Sequence, residues 1–187
     1  MLSRMLELWC GLHRPAVLGC LWMAVLLGAL SFLDLREEGI FLIPPFAATL
    51  TMLVYQPSVA IAQPVVVVCG SVFGTMIGTV LALLLGSGPE VAMLAALTAA
   101  IVLPLLRVLH PPGIALAMCP ALLHLGSWFA VEVVLPFTLV AVISSALLSR
   151  LLSGWPRYPA PLSSEVGPSR DKTRARRSAS LRDDLRK

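Results

Sequence analysis

The sequence predicts an all-α integral membrane protein, a polytopic bundle of four long transmembrane helices and two short helices that each begin at a Pro-Pro pair. Hydrophobic residues make up 58% of the 187-residue chain and charged residues 13%, against about 45–50% and about 25% in an ordinary soluble domain. Between residues 40 and 149 the charged residues are Glu90, Arg107 and Glu132. A segment so poor in charge indicates a lipid bilayer as its surroundings, and we expect no nucleic-acid partner.

Four apolar segments have the length of a membrane span, which is roughly 20 residues with a range of about 17 to 25. They are Ala16–Leu33, Val65–Leu85, Val91–Leu109 and Val133–Ser149. No small-residue cleavage site follows the first segment, so we interpret it as a retained helix and not as a signal peptide.

Two shorter apolar pieces, Ile40–Tyr55 and Ile114–Leu125, follow the first and third long segments. They are entered through Pro44-Pro45 and Pro111-Pro112, and proline suits the first turn of a helix, where its missing N–H would have no partner anyway. At about 1.5 Å per residue neither piece comfortably spans a core of about 30 Å. The same order of long segment, Pro-Pro, short helix and long segment occurs twice, which indicates an internal duplication.

The distribution of Lys and Arg predicts the orientation in the membrane. Arg4 and Arg14 precede the first span, and Arg150 and Arg157 follow the last, which favours both termini in the cytoplasm and a location in the inner membrane. The number of crossings is then even. Re-entrant short helices give four crossings; crossing short helices give six and make the halves an inverted repeat. The sequence leaves both open.

The basic C-terminal segment divides the chain into a membrane domain, residues 1–154, and a cytoplasmic tail, residues 155–187. Eight of the fourteen Lys and Arg residues lie between Arg170 and Lys187, among Pro and Ser. This composition predicts a disordered tail.

The stretch Arg107-Val108-Leu109-His110-Pro111-Pro112-Gly113 is the first candidate binding site. A cation and an imidazole precede a short helix whose first N–H groups have no intrahelical partner. Helix N-termini attract anions, and transporters place broken helix ends at their substrate sites. Gly113 would allow a ligand or another helix to approach the backbone closely.

The matching turn of the first half adds Pro45, Phe46 and Thr49, and we include Gln63 and Ser71 as further candidates. Four of the candidates, Arg107, His110, Gln63 and Ser71, have a structural alternative. Arg107 could extend to the lipid headgroups, and His110 could cap the preceding helix. Gln63, and Ser71 within Gly70-x-x-x-Gly74-x-x-x-Gly78, could serve helix packing, because small residues four apart let helices approach closely in lipid.

No arrangement of residues resembles a nucleophile with its base, a zinc site or a phosphate loop. The four cysteines lie far apart inside or at the edge of apolar runs, as small buried hydrophobes do. We therefore expect no enzyme activity, no metal and no cofactor.

His110-Pro111-Pro112-Gly113, Pro45-Phe46-Ala47-Ala48-Thr49 and the segment ending in Ala62-Gln63-Pro64 resemble three motifs of the HPP family of integral membrane proteins, in the same order. The resemblance covers roughly residues 16–152. It implies four transmembrane helices and a transport role, with nitrite as the substrate proposed for some members. Ser71 stands where the family often has a histidine.

Two functions follow as hypotheses. The first is a transporter or channel for a small, nitrite-like inorganic anion, which uses the helix N-termini at the Pro-Pro turns with Arg107 and His110. So small a bundle would need a homo-oligomer to enclose a path. The alternative is a non-transporting membrane scaffold that packs against a partner through the glycine-rich helix 65–85.

Overall fold

The computed structural model describes residues 2–37 and 42–159, with the side chains of the first helix described from residue 17 to residue 35. Every regular element in these ranges is helical. The six helices are α1 (Leu2–Glu37), α2 (Pro44–Tyr55), α3 (Pro64–Leu85), α4 (Pro89–Leu105), α5 (Pro111–Leu123) and α6 (Leu135–Leu151). A 3₁₀ turn, Ala60–Ala62, precedes α3, and a π-helical turn, Ala130–Val134, leads into α6.

Three helical segments are long and apolar enough to cross a membrane, not the predicted four. They are Val17–Leu35, Pro64–Leu85 and Ala130–Leu151, and they correspond to the first, second and fourth predicted spans. The predicted third span, Val91–Leu109, is instead the 17-residue helix Pro89–Leu105, about 25 Å long.

The end of α4 explains its shortness. The backbone N–H of Val108 donates to the carbonyl of Leu103 at 2.9 Å, and that of Arg107 donates to Pro104 at 2.9 Å. These two bonds form a Schellman motif, which ends a helix through a left-handed residue. Arg107 is that residue, with φ 59°, a position at which glycine is usual.

The short helices begin where the sequence predicted, at Pro44 and at Pro111. The residues before them, Ile43 and His110, are extended, with φ −116° and −125°, because a following proline disfavours helical backbone. The local chemistry of Pro-Pro therefore sets both helix starts.

The chain reverses direction between successive helices, which separates two ends of the bundle. One end, which we call the Tyr158 end, consists of residues 56–63, 107–110 and 152–158. Two contacts bring these segments together: the Tyr158 hydroxyl donates to the carbonyl of Ala62 at 3.0 Å, and His110 Nδ1 lies 2.9 Å from the carbonyl of Ile61. The Gly88 end holds residues 86–88 and 124–129, since the Gly88 N–H donates to Ala121 at 3.1 Å. The helices thus pass between the two ends six times, three of them as long apolar segments and three as shorter helices.

The two halves also make corresponding contacts. In the register that places Pro44 on Pro111, Phe46 corresponds to Gly113 and Gly70 to Phe137. The rings of Phe46 and Phe137 stack with centroids 4.0 Å apart, and Gly70 and Gly113 touch through their backbones. Each contact joins one half to the other, and exchanging the halves turns one contact into the other, as two-fold related halves would do.

Residues 155–159 pack onto the bundle, so the folded region continues past the predicted boundary at residue 154. Trp155 and Tyr158 are buried. Trp155 stacks edge-on against Trp22 with centroids 5.4 Å apart, and its indole N–H donates to Ser145 at 3.4 Å. Burial raises the pKa of the Tyr158 phenol, which keeps it a hydrogen-bond donor. The predicted disorder of residues 160–187 concerns a segment outside the described residues.

Candidate functional site

The imidazole of His110 lies at the centre of the best-defined polar site in the described chain. It has no solvent-exposed surface. It sits where α5 begins, between α2, which supplies Thr49, and the turn before α3, which supplies Ile61. The Pro-Pro start makes the preceding residue extended, and from this backbone the His110 ring reaches Thr49 and Ile61.

The hydrogen bonds of this imidazole specify where its proton sits. A carbonyl oxygen can only accept, so Nδ1, 2.9 Å from the Ile61 carbonyl, carries a hydrogen. Nε2 is 3.1 Å from the Thr49 hydroxyl, which is also 3.0 Å from the carbonyl of Pro45.

Two arrangements of hydrogens satisfy this geometry, and they differ by one proton. In the neutral ring, Nε2 accepts a hydrogen bond from the Thr49 hydroxyl, whose one hydrogen is then not donated to the carbonyl of Pro45. In the charged ring, Nε2 donates to Thr49, and the hydroxyl donates to Pro45. The protonation state of His110 therefore sets the direction of a hydrogen bond on α2.

The glycine stripe of α3 packs against the first turns of α5 within the same chain. A Cβ added to Gly74 would lie 2.0 Å from the carbonyl oxygen of Gly113, and one added to Gly78 would lie 2.0 Å from that of Ala117. Close packing of small residues is confirmed within the chain. The glycine face that the scaffold alternative assigned to a partner is covered by α5, whereas other residues of helix 65–85, such as Phe73 and Met76, are exposed.

Beside the glycines, α3 carries a stripe of three buried hydroxyl residues at four-residue spacing: Ser71, Thr75 and Thr79. The Thr75 hydroxyl donates to the carbonyl of Ser71 at 2.8 Å. In the described part of the chain, the hydroxyls of Ser71 and Thr79 are buried without a hydrogen-bond partner. An unmade hydrogen bond on a buried group costs about 1–3 kcal/mol, so these two positions call for an explanation.

The helix starts do not offer the anion-binding N–H groups that we predicted from the sequence. Pro111 and Pro112 have no N–H, and the next one, on Gly113, donates to the carbonyl of His110 at 2.8 Å. At the start of α2, the N–H of Phe46 likewise donates to Ile43 at 3.1 Å. The prediction was wrong because two prolines remove the very donors that make other helix N-termini attractive to anions.

The predicted site residues therefore divide into groups. The buried ones are His110, Thr49, Pro45, Phe46, Pro112, Gly113 and Ser71. Contacts join His110 to Thr49 of α2, and Gly113 to the backbone of Gly70 and Ser71 on α3. Arg107 and Pro111 are exposed, so Arg107 does not share the enclosed surroundings of His110. Gln63 is half-buried before α3 and donates to the carbonyl of Pro57 at 3.4 Å.

Sequence reasoning missed Ile61 and Thr79. Ile61 takes part through its carbonyl, which no sequence pattern reveals. Thr79 follows Ser71 and Thr75 at four-residue spacing, and this periodicity was available as a signal.

Comparison with known proteins gives one match. The family model described as "HPP, transmembrane region" matches residues 8–159. No curated protein and no solved structure matches the chain. The matched region ends at the last described residue and includes the packed Trp155–Pro159 segment.

Proposed function

Because the chain belongs to the HPP transmembrane family, we propose that it is a channel or transporter for a small inorganic anion such as nitrite. The observation that carries the proposal is Ser71. Its hydroxyl is fully buried and, within the described residues, without a partner. The preceding residue, Gly70, lies against His110: a Cβ added to it would be 2.6 Å from the Cβ of His110.

Polar groups inside a membrane bundle are expensive and mark ion and substrate paths. The Thr138 hydroxyl, the counterpart of Ser71 in the repeat register, donates to its own helix at the carbonyl of Val134, 2.8 Å away. A helical serine has the same option, but Ser71 does not take it. Its free O–H is a donor that a passing anion would accept, and this would offset the cost of the unmade bond.

His110 supplies the second part of the proposed mechanism. When the ring is charged, it places a positive charge in the interior beside α3, where an anion is otherwise strongly disfavoured. When the ring is neutral, that attraction disappears. The Thr49 hydroxyl follows each change, so α2 senses whether His110 carries a proton.

Arg107 has a different role in this proposal from the one predicted. It is exposed at the Tyr158 end and would attract anions to the mouth of the path, where unit charges about 4 Å apart interact by only about 1 kcal/mol in water. It does not hold the ion in a dehydrated site.

We further propose that the Tyr158 end faces the cytoplasm of an inner-membrane protein, and that copies of the chain associate as a homo-oligomer. Arg107 and Arg157 follow helices that end at the Tyr158 end, and Arg150 lies in the last turn of α6, which agrees with the preference of basic residues for the cytoplasm. Cysteines placed at Val59 and Arg157 should then react from the same side of the membrane, and one placed at Ser127 from the other.

The proposal is tested by anion exchange in proteoliposomes. Vesicles containing the protein should exchange nitrite, nitrate or formate faster than empty vesicles do. Thr49→Val, which keeps the shape but removes the hydroxyl bonded to His110, should slow exchange. The matched control is Thr51→Val on the same helix, whose hydroxyl is exposed and donates to the carbonyl of Ala47 at 2.8 Å, and which should exchange normally. Absence of exchange for all three anions, at a protein density where a known transporter works, would refute the proposal.

A further inference from the structure

A second polar site lies at the Gly88 end, away from His110. It is a pocket of about 160 Å³ formed where the last turns of α3 and α5 meet the loops that follow them. Its polar lining residues are Thr79, Ser87, His124 and Ser127, and its apolar walls include Leu83 and Leu125. The volume far exceeds the minimum of about 10–15 Å³ that one water needs.

Thr79 is the buried residue among the four polar lining residues, whereas Ser87, His124 and Ser127 are exposed. The Thr79 side chain is 8% exposed, and its hydroxyl is buried without a hydrogen-bond partner among the described residues. Thr75, one turn earlier, donates to the carbonyl of its own helix four residues back. Thr79 does not, so within the described chain its buried hydroxyl is left without a partner beside the pocket.

The lining chemistry selects the class of ligand. Three hydroxyls and one imidazole can all donate hydrogen bonds, and none of the lining residues carries a carboxylate. The carboxylate of Glu90 lies near Gly88, 3.3 Å from where a Cβ on that glycine would stand, beside the loop and outside the lining. A small cavity with several donors and apolar walls fits a small oxyanion better than a metal cation, which needs a full shell of oxygen ligands.

We infer that this pocket is a second anion-binding site, a vestibule at the Gly88 end that binds a small oxyanion through Thr79, Ser87, His124 and Ser127. The stripe Ser71–Thr75–Thr79 links it to the surroundings of His110 along one helix. The inference rests on the proposed function for the kind of anion, but the site is defined by its own residues and can be tested without transport.

The test is protection of a cysteine from a thiol reagent. Ser87→Cys and, separately, Ser127→Cys are made in the full-length protein with its native cysteines replaced, and labelling is followed in detergent or nanodiscs. Nitrate serves as the probe anion, with gluconate at equal ionic strength as the control for screening. If nitrate occupies the pocket, labelling at about ten times its dissociation constant should slow about tenfold. A cysteine at Gly126, at the same end but not among the lining residues, should label at an unchanged rate.

His124→Ala in the Ser87→Cys background should abolish the protection, whereas Leu122→Ala, an exposed position on the same helix, should keep it. Equal slowing by gluconate, or no slowing at either cysteine, would overturn the inference. Protection without flux would leave the vestibule and remove the transport proposal. Flux without protection would overturn the vestibule and leave the transport proposal in place.

Discussion

Removal of the Ser71 hydroxyl separates a structural role from a transport role, because the two predict opposite results. The hydroxyl is fully buried and has no hydrogen-bond partner among the described residues. Ser71→Ala deletes one oxygen atom and leaves the backbone contact between Gly70 and Gly113 in place. A residue that served packing or hydrogen bonding would lose stability on this change.

The magnitudes follow from the missing bond. Since an unsatisfied buried hydroxyl costs about 1–3 kcal/mol, Ser71→Ala should leave the free energy of unfolding unchanged or raise it by up to that amount. If the hydroxyl donates to the anion in transit, a charge-assisted bond of about 1.5–3 kcal/mol is lost. At about 1.4 kcal/mol per factor of ten, exchange should then fall roughly 10- to 150-fold.

The assay pairs nitrite exchange in proteoliposomes with thermal unfolding in detergent on the same preparations. Thr138→Val is the matched control, since Thr138 is equally buried but its hydroxyl donates within its own helix, and it should exchange at the parental rate. Normal exchange by Ser71→Ala would remove this hydroxyl from the path. A fall in exchange together with a fall in melting temperature would refute the reasoning, because it would show that the hydroxyl stabilises the fold.

Three further outcomes are expected. Arg107→Gly should stabilise the protein by about 1–2 kcal/mol, because glycine adopts a left-handed conformation without the strain that arginine has there. The loss of the positive charge should also slow exchange at low salt. A lower melting temperature in Arg107→Gly than in Arg107→Gln would contradict the Schellman assignment. Gly74→Ala should prevent stable folding, since its Cβ would lie 2.0 Å from the backbone oxygen of Gly113. Gly28→Ala should be stable, because nothing lies within 4 Å of the Cβ it would add. Size-exclusion chromatography compares the two variants. Truncation after residue 162 should leave a folded protein. Truncation after residue 154 should lower the melting temperature, because Trp155 and Tyr158 are lost. Equal melting temperatures would show that these two side chains do not contribute to stability.

The starts of the short helices could be predicted from the sequence because proline acts locally. It constrains its own φ and disfavours helical backbone at the residue before it, so the two helices begin at Pro44 and Pro111 and not earlier. The same chemistry could have corrected the anion-site prediction, since the absence of N–H groups at Pro111 and Pro112 is visible in the sequence.

Other features could not be predicted because they depend on distant partners. The end of α4 depends on Arg107 adopting a left-handed conformation in which arginine is unusual. The glycine stripe indicated a close contact but not that α5 makes it. Trp155 and Tyr158 lie among prolines and arginines with no helical period, and only their contacts with Trp22 and Ala62 show that they belong to the bundle.

The unlike contacts of the two halves have a consequence for movement. In transporters built from inverted repeats, access alternates as one repeat moves against the other, and in the simplest version each half takes up the conformation of its counterpart. Here Gly70 and Gly113 bring two backbones into contact, and the corresponding place between α2 and α6 is filled by the rings of Phe46 and Phe137. The phenylalanine side cannot close to the glycine geometry while the rings remain stacked. An exchange of conformations between the halves would therefore require the stacked rings of Phe46 and Phe137 to separate.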